Sequence, residues 1–238
     1  MGRRGRVPLL HFACSMSFRA SEMSPLLPLI AVALVLSGAL ARVYDVDRML
    51  VWHDEVFTLV RVFGFAGAEV DAFLFSGRDL RPEHLLAFQR AGDGQGWGDT
   101  LNSLREHPEH TPLYYLAARA AASSTESPMW AVRGTSAALS VLLLPAVFWL
   151  ARELFQEKRV AWIAAVLVAW SPMHLLYAQE ARQYAVWTVL CVAASAALLR
   201  ALRTGRRRDW ALYCLLIALG LYSHLLFVLA LAAHAAYL

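Results

Sequence analysis

A chain of 238 residues that is 59% hydrophobic and only 17% charged is too apolar for a water-soluble domain, where charged residues alone make up about a quarter of the chain. Three cysteines, Cys14, Cys191 and Cys214, lack framework spacing, and two sit inside apolar runs, so neither a disulfide scaffold nor a thiolate metal site is indicated. The net charge of +4 suggests nucleic acid only until the charges are placed along the chain.

Apolar stretches run over residues 25–41, 131–151, 160–178, 183–202 and 210–238, each near the roughly 17–25 residues that a spanning helix needs. The expected fold is all-α, a polytopic transmembrane helical bundle with a partly helical extracytoplasmic first loop. Arg3, Arg4, Arg6 and Arg19 precede the first stretch, Arg152, Lys158 and Arg159 follow the second, and Arg200, Arg203, Arg206, Arg207 and Arg208 follow the fourth. The positive-inside rule makes those three places cytoplasmic. Residues 42–111 then lie outside, with twelve Asp or Glu against seven Arg and no Lys, so the charge bias is topological and nucleic acid is excluded as a partner.

This divides the chain into a basic cytoplasmic N-terminus (1–24), a first membrane helix (25–41), an extracytoplasmic loop (42–130) and a membrane-helical region (131–238). The parity requires that residues 111–124, short and interrupted by Arg119, form a re-entrant or interfacial helix. A signal peptide ending near Ala39-Leu40-Ala41 is the alternative for the N-terminus. The apolar run that reaches Leu238 without a charged flank carries the expectation of a partial chain.

Within the loop, Val51, Val56, Leu59, Val60 and Phe63 mark an apolar stripe at helical spacing, expected to lie on the membrane. Gly92, Gly94, Gly96 and Gly98 suit a mobile surface loop, since no strand precedes them and no Lys follows, as a phosphate cradle would require.

Three constellations carry chemistry. The first is Trp52-His53-Asp54-Glu55: adjacent acids at a membrane boundary are costly, and one with a raised pKa suits a general base, although a solvated surface pair is the bland reading. The second is residues 106–115, Glu-His-Pro-Glu-His-Thr-Pro-Leu-Tyr-Tyr. Its two imidazoles and two carboxylates suit a divalent metal ion, while Pro108 and Pro112 forbid a regular helical ligand face and favour a proline-fixed turn at the interface.

The third is residues 171–184, from Ser171-Pro172 to Tyr184. Glu180 and Tyr184, four apart, are expected to share a helix face, and Arg182 either pairs with Glu180 or grips a phosphate with both arms. Arg133, just inside its apolar segment, is a second phosphate candidate or else snorkels to the interface. His224 and His234 are weaker candidates.

In this order the motifs resemble the polytopic membrane glycosyltransferases of the GT-C type, in the branch of the protein O-mannosyltransferases and the aminoarabinose transferase of lipid A. The landmarks are Asp54-Glu55, the turn from His110 to Tyr115, Arg133-Gly134-Thr135-Ser136-Ala137, and Ser171-Pro172 followed by Tyr177 to Tyr184. Thr111 stands where that family usually has proline.

The resemblance implies transfer of a sugar from a polyprenyl-phosphate donor in the membrane to an acceptor hydroxyl on the outside, with inversion, in a multi-pass protein of the bacterial plasma membrane. It implies Asp54 as catalytic base, with Glu55 orienting it or contacting a metal. It further implies His110 and Tyr114 at the entrance, Glu180 and Tyr184 beside the substrate, and Arg182 with Arg133 on the departing phosphate. The acceptor, whether protein, lipid or glycan, and any divalent metal stay open. The rival class is a non-enzymatic polytopic protein, a transporter or lipid-flipping partner gated by Glu180 and Arg182; no internal repeat of the transporter kind is visible.

Overall fold

The computed structural model describes residues 26–238 except 91 and 93. The basic N-terminal segment and the start of the signal-peptide pattern lie outside the described residues. Among those described, every regular element is helical.

The first helix, α1 (Leu26–Val43), is 18 apolar residues long, about 27 Å at 1.5 Å per residue and so close to the thickness of a hydrocarbon core. Helices α7 (Pro128–Val141) and α8 (Leu143–Phe155) form one 28-residue span. Pro145 has no N–H to donate four residues back, which interrupts the ladder where the two meet. Helix α11 (Tyr184–Thr204) is a third span of 21 residues.

Two expected spans are broken. Residues 160–178 fold as α9 (Lys158–Ala169) and α10 (Pro172–Ala178), bent by 59°, because a residue before proline avoids the helical region. Residues 210–238 fold as α12 (Arg207–Leu221) and α13 (Phe227–Tyr237). Between them Ser223 donates its hydroxyl back to the Gly220 carbonyl, and the Tyr222 carbonyl accepts the N–H of Leu113 from another element. The periodicity of an apolar run cannot reveal such a competing long-range bond.

The loop after α1 holds α2 (His53–Phe63), α3 (Gly67–Leu74), α4 (Pro82–Leu86) running into a 3-10 turn, α5 (Trp97–Glu106) and α6 (Pro112–Ala122). Asp54 and Glu55 in the first turn of α2 complement its dipole. Gly64 ends it at φ +80°, where a Cβ would also lie 2.6 Å from the backbone of Asp99 and Thr100.

Helix α2 was expected on the membrane surface and is instead packed inside the protein, with Leu59, Val60, Val62 and Phe63 in the core. Its last carbonyls, orphaned by the helix end, receive side-chain donors. Thr100 and Arg119 reach the Val62 carbonyl, and Ser103 reaches that of Phe65. At 11 residues α6 is too short to span, as the parity requires, and its buried Tyr114, Tyr115, Ala118 and Ala122 join the α2 core. The glycine-rich stretch leads into α5, where Gly96 donates its N–H to the Asp99 carboxylate and Gln95 offers its carbonyl to Arg119.

The C-terminal end of α1, the starts of α7 and α11, and the α9–α10 bend come together beneath α2 and α6. At their opposite ends α8, α9, α11 and α12 carry Arg152, Lys158, Arg159, Arg200, Arg203 and Arg206 to Arg208.

Candidate active site

Glu55 lies at the centre of the gathered end and is 1% exposed. Its Oε1 accepts from Arg133 Nε at 2.8 Å and from the Ala181 N–H at 2.8 Å, and its Oε2 accepts from Arg133 Nη2 at 2.6 Å. Arg133, also 1% exposed, spends its remaining N–H groups on the carbonyls of Val46, Met49 and Leu50. Two buried charges are tolerated because each meets the other's fork geometry and every donor is satisfied. This corrects the expectation for Arg133: it neither snorkels nor faces a phosphate, because its five donors are already taken. It ties the chain leaving α1 to α2 and α7.

Asp54, the neighbour of Glu55 in sequence, points the other way, with 30% of its side chain exposed. Its Oδ2 lies 3.4 Å from Arg182 Nη2, and its Oδ1 lies 3.3 Å from His53 Nδ1. The two acids thus divide their work, one sealed in a brace and one open to an incoming molecule.

Arg182 stands on a non-helical segment, residues 179–183, between α10 and α11. The segment's backbone and flanking amides are tied at several points. Gln179 donates to the carbonyls of Ala41 and Tyr44 at the end of α1, Ala181 donates to Glu55, and the Arg182 carbonyl accepts from Ser136 Oγ at 3.3 Å. Gln183 Oε1 accepts from the Tyr115 hydroxyl at 2.8 Å.

The Arg182 guanidinium is held far more lightly. Its contacts to the Asp54 carbonyl, Asp54 Oδ2 and the Tyr184 hydroxyl are all 3.4 Å, it lies 5.3 Å over the Tyr184 ring, and its buried Nε has no partner. A fixed backbone under a loosely engaged guanidinium suits the capture of an anion.

The expected shared helix face of Glu180 and Tyr184 is not formed, since α11 begins only at Tyr184. Nor does Glu180 take Arg182 as its partner; Asp54 does. Glu180 Oε2 is buried without a partner, and burial, reinforced by the negative charges of Glu55 and Asp54, raises its carboxyl above the usual range.

Tyr114 is corrected as well. It is 1% exposed and does not line an entrance; its hydroxyl meets Ser136 Oγ at 2.8 Å and the Val132 carbonyl at 3.3 Å. His110 is half-buried, with Nδ1 2.8 Å from the Tyr115 hydroxyl. Burial pushes its pKa down to about 4 against the pull of Glu109, and Arg182 and Arg61 lower it further. The ring is therefore neutral at neutral pH.

His107 Nδ1 and His110 Nε2 face the same oxygen of Glu109, at 3.2 and 3.8 Å. Among the described residues no three His, Cys, Asp or Glu side chains converge to hold a metal ion.

Reading the sequence alone missed four participants: Tyr115, Gln183, Ser136 and, in part, His224. The His224 ring, in the break between α12 and α13, stacks on Trp187 at 4.6 Å and 22°. The chain bend delivers it there, and no local signal announces that. A cavity of about 430 Å³ runs between α7, α8, α10 and α11, lined by Leu143, Met173, His174, Tyr177, Trp187 and Tyr184, the ring over which Arg182 lies, among others. His234, deeper in the bundle, is taken up by Ser195 and Tyr213 and is remote from this group.

An all-α chain with several apolar helices long enough to cross a membrane, and a carboxylate and an arginine held together at one end of the bundle, defines a polytopic membrane protein with a polar site. A family profile described as dolichyl-phosphate-mannose-protein mannosyltransferase matches residues 107–238, more than half of the chain. The chain belongs to that family, and is accordingly a membrane glycosyltransferase of the GT-C kind. The matched region contains His110, Tyr114, Arg133 and Arg182 and begins after Asp54 and Glu55. No curated protein and no solved structure matches the chain.

Proposed function

We propose that this glycosyltransferase draws its sugar from a polyprenyl-phosphate donor and transfers it, with inversion, to an acceptor hydroxyl on the extracytoplasmic side, with Asp54 as general base and Arg182 on the leaving phosphate. The observation that carries this reading is the lone contact between a half-open carboxylate and a lightly held guanidinium, Asp54 Oδ2 to Arg182 Nη2 at 3.4 Å. A donor phosphate entering beside Arg182 competes with Asp54 for that cation and releases the carboxylate toward the acceptor.

The acceptor O–H then gives its proton to Asp54 while its oxygen bonds to the anomeric carbon. The bond from that carbon to the phosphate oxygen breaks, and its electron pair leaves on the phosphate beside Arg182. Positive charge develops on the sugar and negative charge on the phosphate, so a carboxylate on one side and a guanidinium on the other favour the transition state. A single displacement inverts the anomeric centre, by analogy with inverting hydrolases. The apolar cavity lined by Met173, Tyr177 and Trp187 is suited to the first isoprene units of the donor. Glu180, with its unpartnered oxygen, is suited to a sugar hydroxyl. The excess of arginine and lysine at the opposite end of the bundle supports an outside location for the site by the positive-inside rule.

The test is Asp54→Asn in the full-length protein, followed by discharge of radiolabelled sugar from a pool of polyprenyl-phosphate sugars. Discharge is expected to fall by about 10²–10⁴-fold, the usual worth of a general base, with membrane insertion unchanged. Wild-type discharge by the variant would remove Asp54 from the chemistry. Flux of the lipid across sealed vesicles without any transfer would favour the flipping alternative.

A further inference from the structure

The Tyr114-Tyr115 pair on α6 offers two hydroxyls, both buried, and both lead to the same short segment. Tyr114 is 1% exposed and Tyr115 0%, so neither hydroxyl is available to a substrate. A buried hydroxyl without a partner is costly, so the partners they do have are informative.

When Ser136 gives its one hydroxyl proton to the Arg182 carbonyl at 3.3 Å, it accepts from Tyr114 at 2.8 Å; the Val132 carbonyl, 3.3 Å from the phenol oxygen, is a second acceptor for Tyr114. Tyr115 likewise has one proton and gives it to Gln183 Oε1, so the equally short contact to His110 is a donation from His110 Nδ1–H to the phenol oxygen. Two chains result: Tyr114 to Ser136 to the Arg182 carbonyl, and His110 to Tyr115 to the Gln183 amide.

They end on consecutive residues of the non-helical segment 179–183, one of which is Arg182. Nothing in the proposed chemistry uses either tyrosine. Their rings meet edge to face at 5.5 Å, which fixes the spacing between the two hydroxyls.

We infer that Tyr114 and Tyr115 are positioning residues: together they clamp the segment at the Arg182 carbonyl and the Gln183 side chain and thereby set where the guanidinium meets the donor phosphate. The inference rests on the reading of Arg182 as the phosphate-binding residue. His110 belongs to the clamp as the donor that fixes the Tyr115 hydroxyl, which is the use the structure offers for a neutral imidazole at this place.

The experiment measures Kd for a short-chain polyprenyl monophosphate, with the corresponding neutral polyprenol as control, on the full-length protein in nanodiscs. Unfolding midpoints are recorded alongside. The variants are Arg182→Lys, the double variant Tyr114→Phe with Tyr115→Phe, and the triple combination. Expected are a weakening of about tenfold in the double variant, unchanged polyprenol binding, and little further loss when Arg182→Lys is added, because both changes disable one grip.

Normal phosphate binding by Arg182→Lys would overturn the reading of Arg182 and the inference with it. A defect in Arg182→Lys with wild-type Kd in the double tyrosine variant would overturn the inference alone. Losses that add in full would also overturn it, since independent sites add. If the double variant does not fold, Ser136→Ala and Gln183→Leu break the same two bonds from the other side, and the same outcomes apply to them.

Discussion

Glu55 and Asp54 are adjacent in sequence and opposite in circumstance, and the difference is one of partners. Glu55 has the Arg133 fork and the Ala181 N–H, while the Asp54 carboxylate is partly exposed and has only long contacts, to His53 and Arg182. Breaking a fully buried pair from one side strands a charge. Arg133→Ala is therefore expected to cost about 3–5 kcal/mol of stability, whereas Arg182→Ala, at a lightly held group, costs far less. Unfolding midpoints in a mild detergent check this, and equal losses would mean that the brace carries no special weight. The sequence singles out the acidic pair as a candidate place of chemistry, since adjacent acids near a membrane are expensive. The different partners of its two members were not legible, because they depend on Arg133, which lies 78 residues away from Glu55 along the chain. For the same reason Arg133 read as a phosphate ligand: composition and spacing show that a guanidinium is near a membrane boundary, not that its donors are already spent.

Between elements, the contact of α1 with α9 has the features of close helix packing in a membrane. Gly38 presents no side chain to Ala169, and a Cβ there would lie 2.7 Å from the Ala169 Cβ and 2.8 Å from its carbonyl oxygen. The close approach lets Arg42, buried one turn on, donate to the carbonyls of Gly38, Ala169 and Val168, closing the end of α9 just before its bend into α10. Gly38→Val is accordingly expected to destabilise by about 1–3 kcal/mol, as overpacking does, and to loosen the α9–α10 bend. Faster proteolysis near residue 170 in the variant is the measurement; unchanged cleavage and midpoint would mean that the helices have room to part. Helix existence was legible along most of the chain because apolar length reports it directly. The two broken spans and the burial of α2 were not, because each depends on a partner distant in sequence: the Leu113 N–H on the Tyr222 carbonyl, and Thr100 and Arg119 on the end of α2. The short α6 was anticipated because counting crossings is a property of the whole chain and does not need its contacts.

At the scale of the whole molecule, charge and chemistry occupy opposite ends of one bundle. The carboxylate, the Arg182 segment and the tyrosine clamp gather where α1 ends and α7 and α11 begin, while Arg206, Arg207 and Arg208 stand exposed in and after the turn that follows α11. The polyprenyl-phosphate donor proposed above would keep its phosphate at the membrane boundary, where a site at one end of the helices would meet the headgroup without drawing charge through hydrocarbon, which costs several kcal/mol for each ion. The side on which the site opens then decides which acceptors it can meet. Cationic loops are retained in the cytoplasm, so Ser76→Cys, in the exposed turn after α3 at the site's end, is expected to react with a membrane-impermeant maleimide in intact cells. Arg207→Cys is expected to react only after permeabilisation, with both changes made in a background where Cys14, Cys191 and Cys214 are serine. Labelling in the reverse pattern would place the site in the cytoplasm and remove every extracytoplasmic acceptor from consideration, whereas the expected pattern restricts the acceptor to molecules that reach the outer face of the membrane.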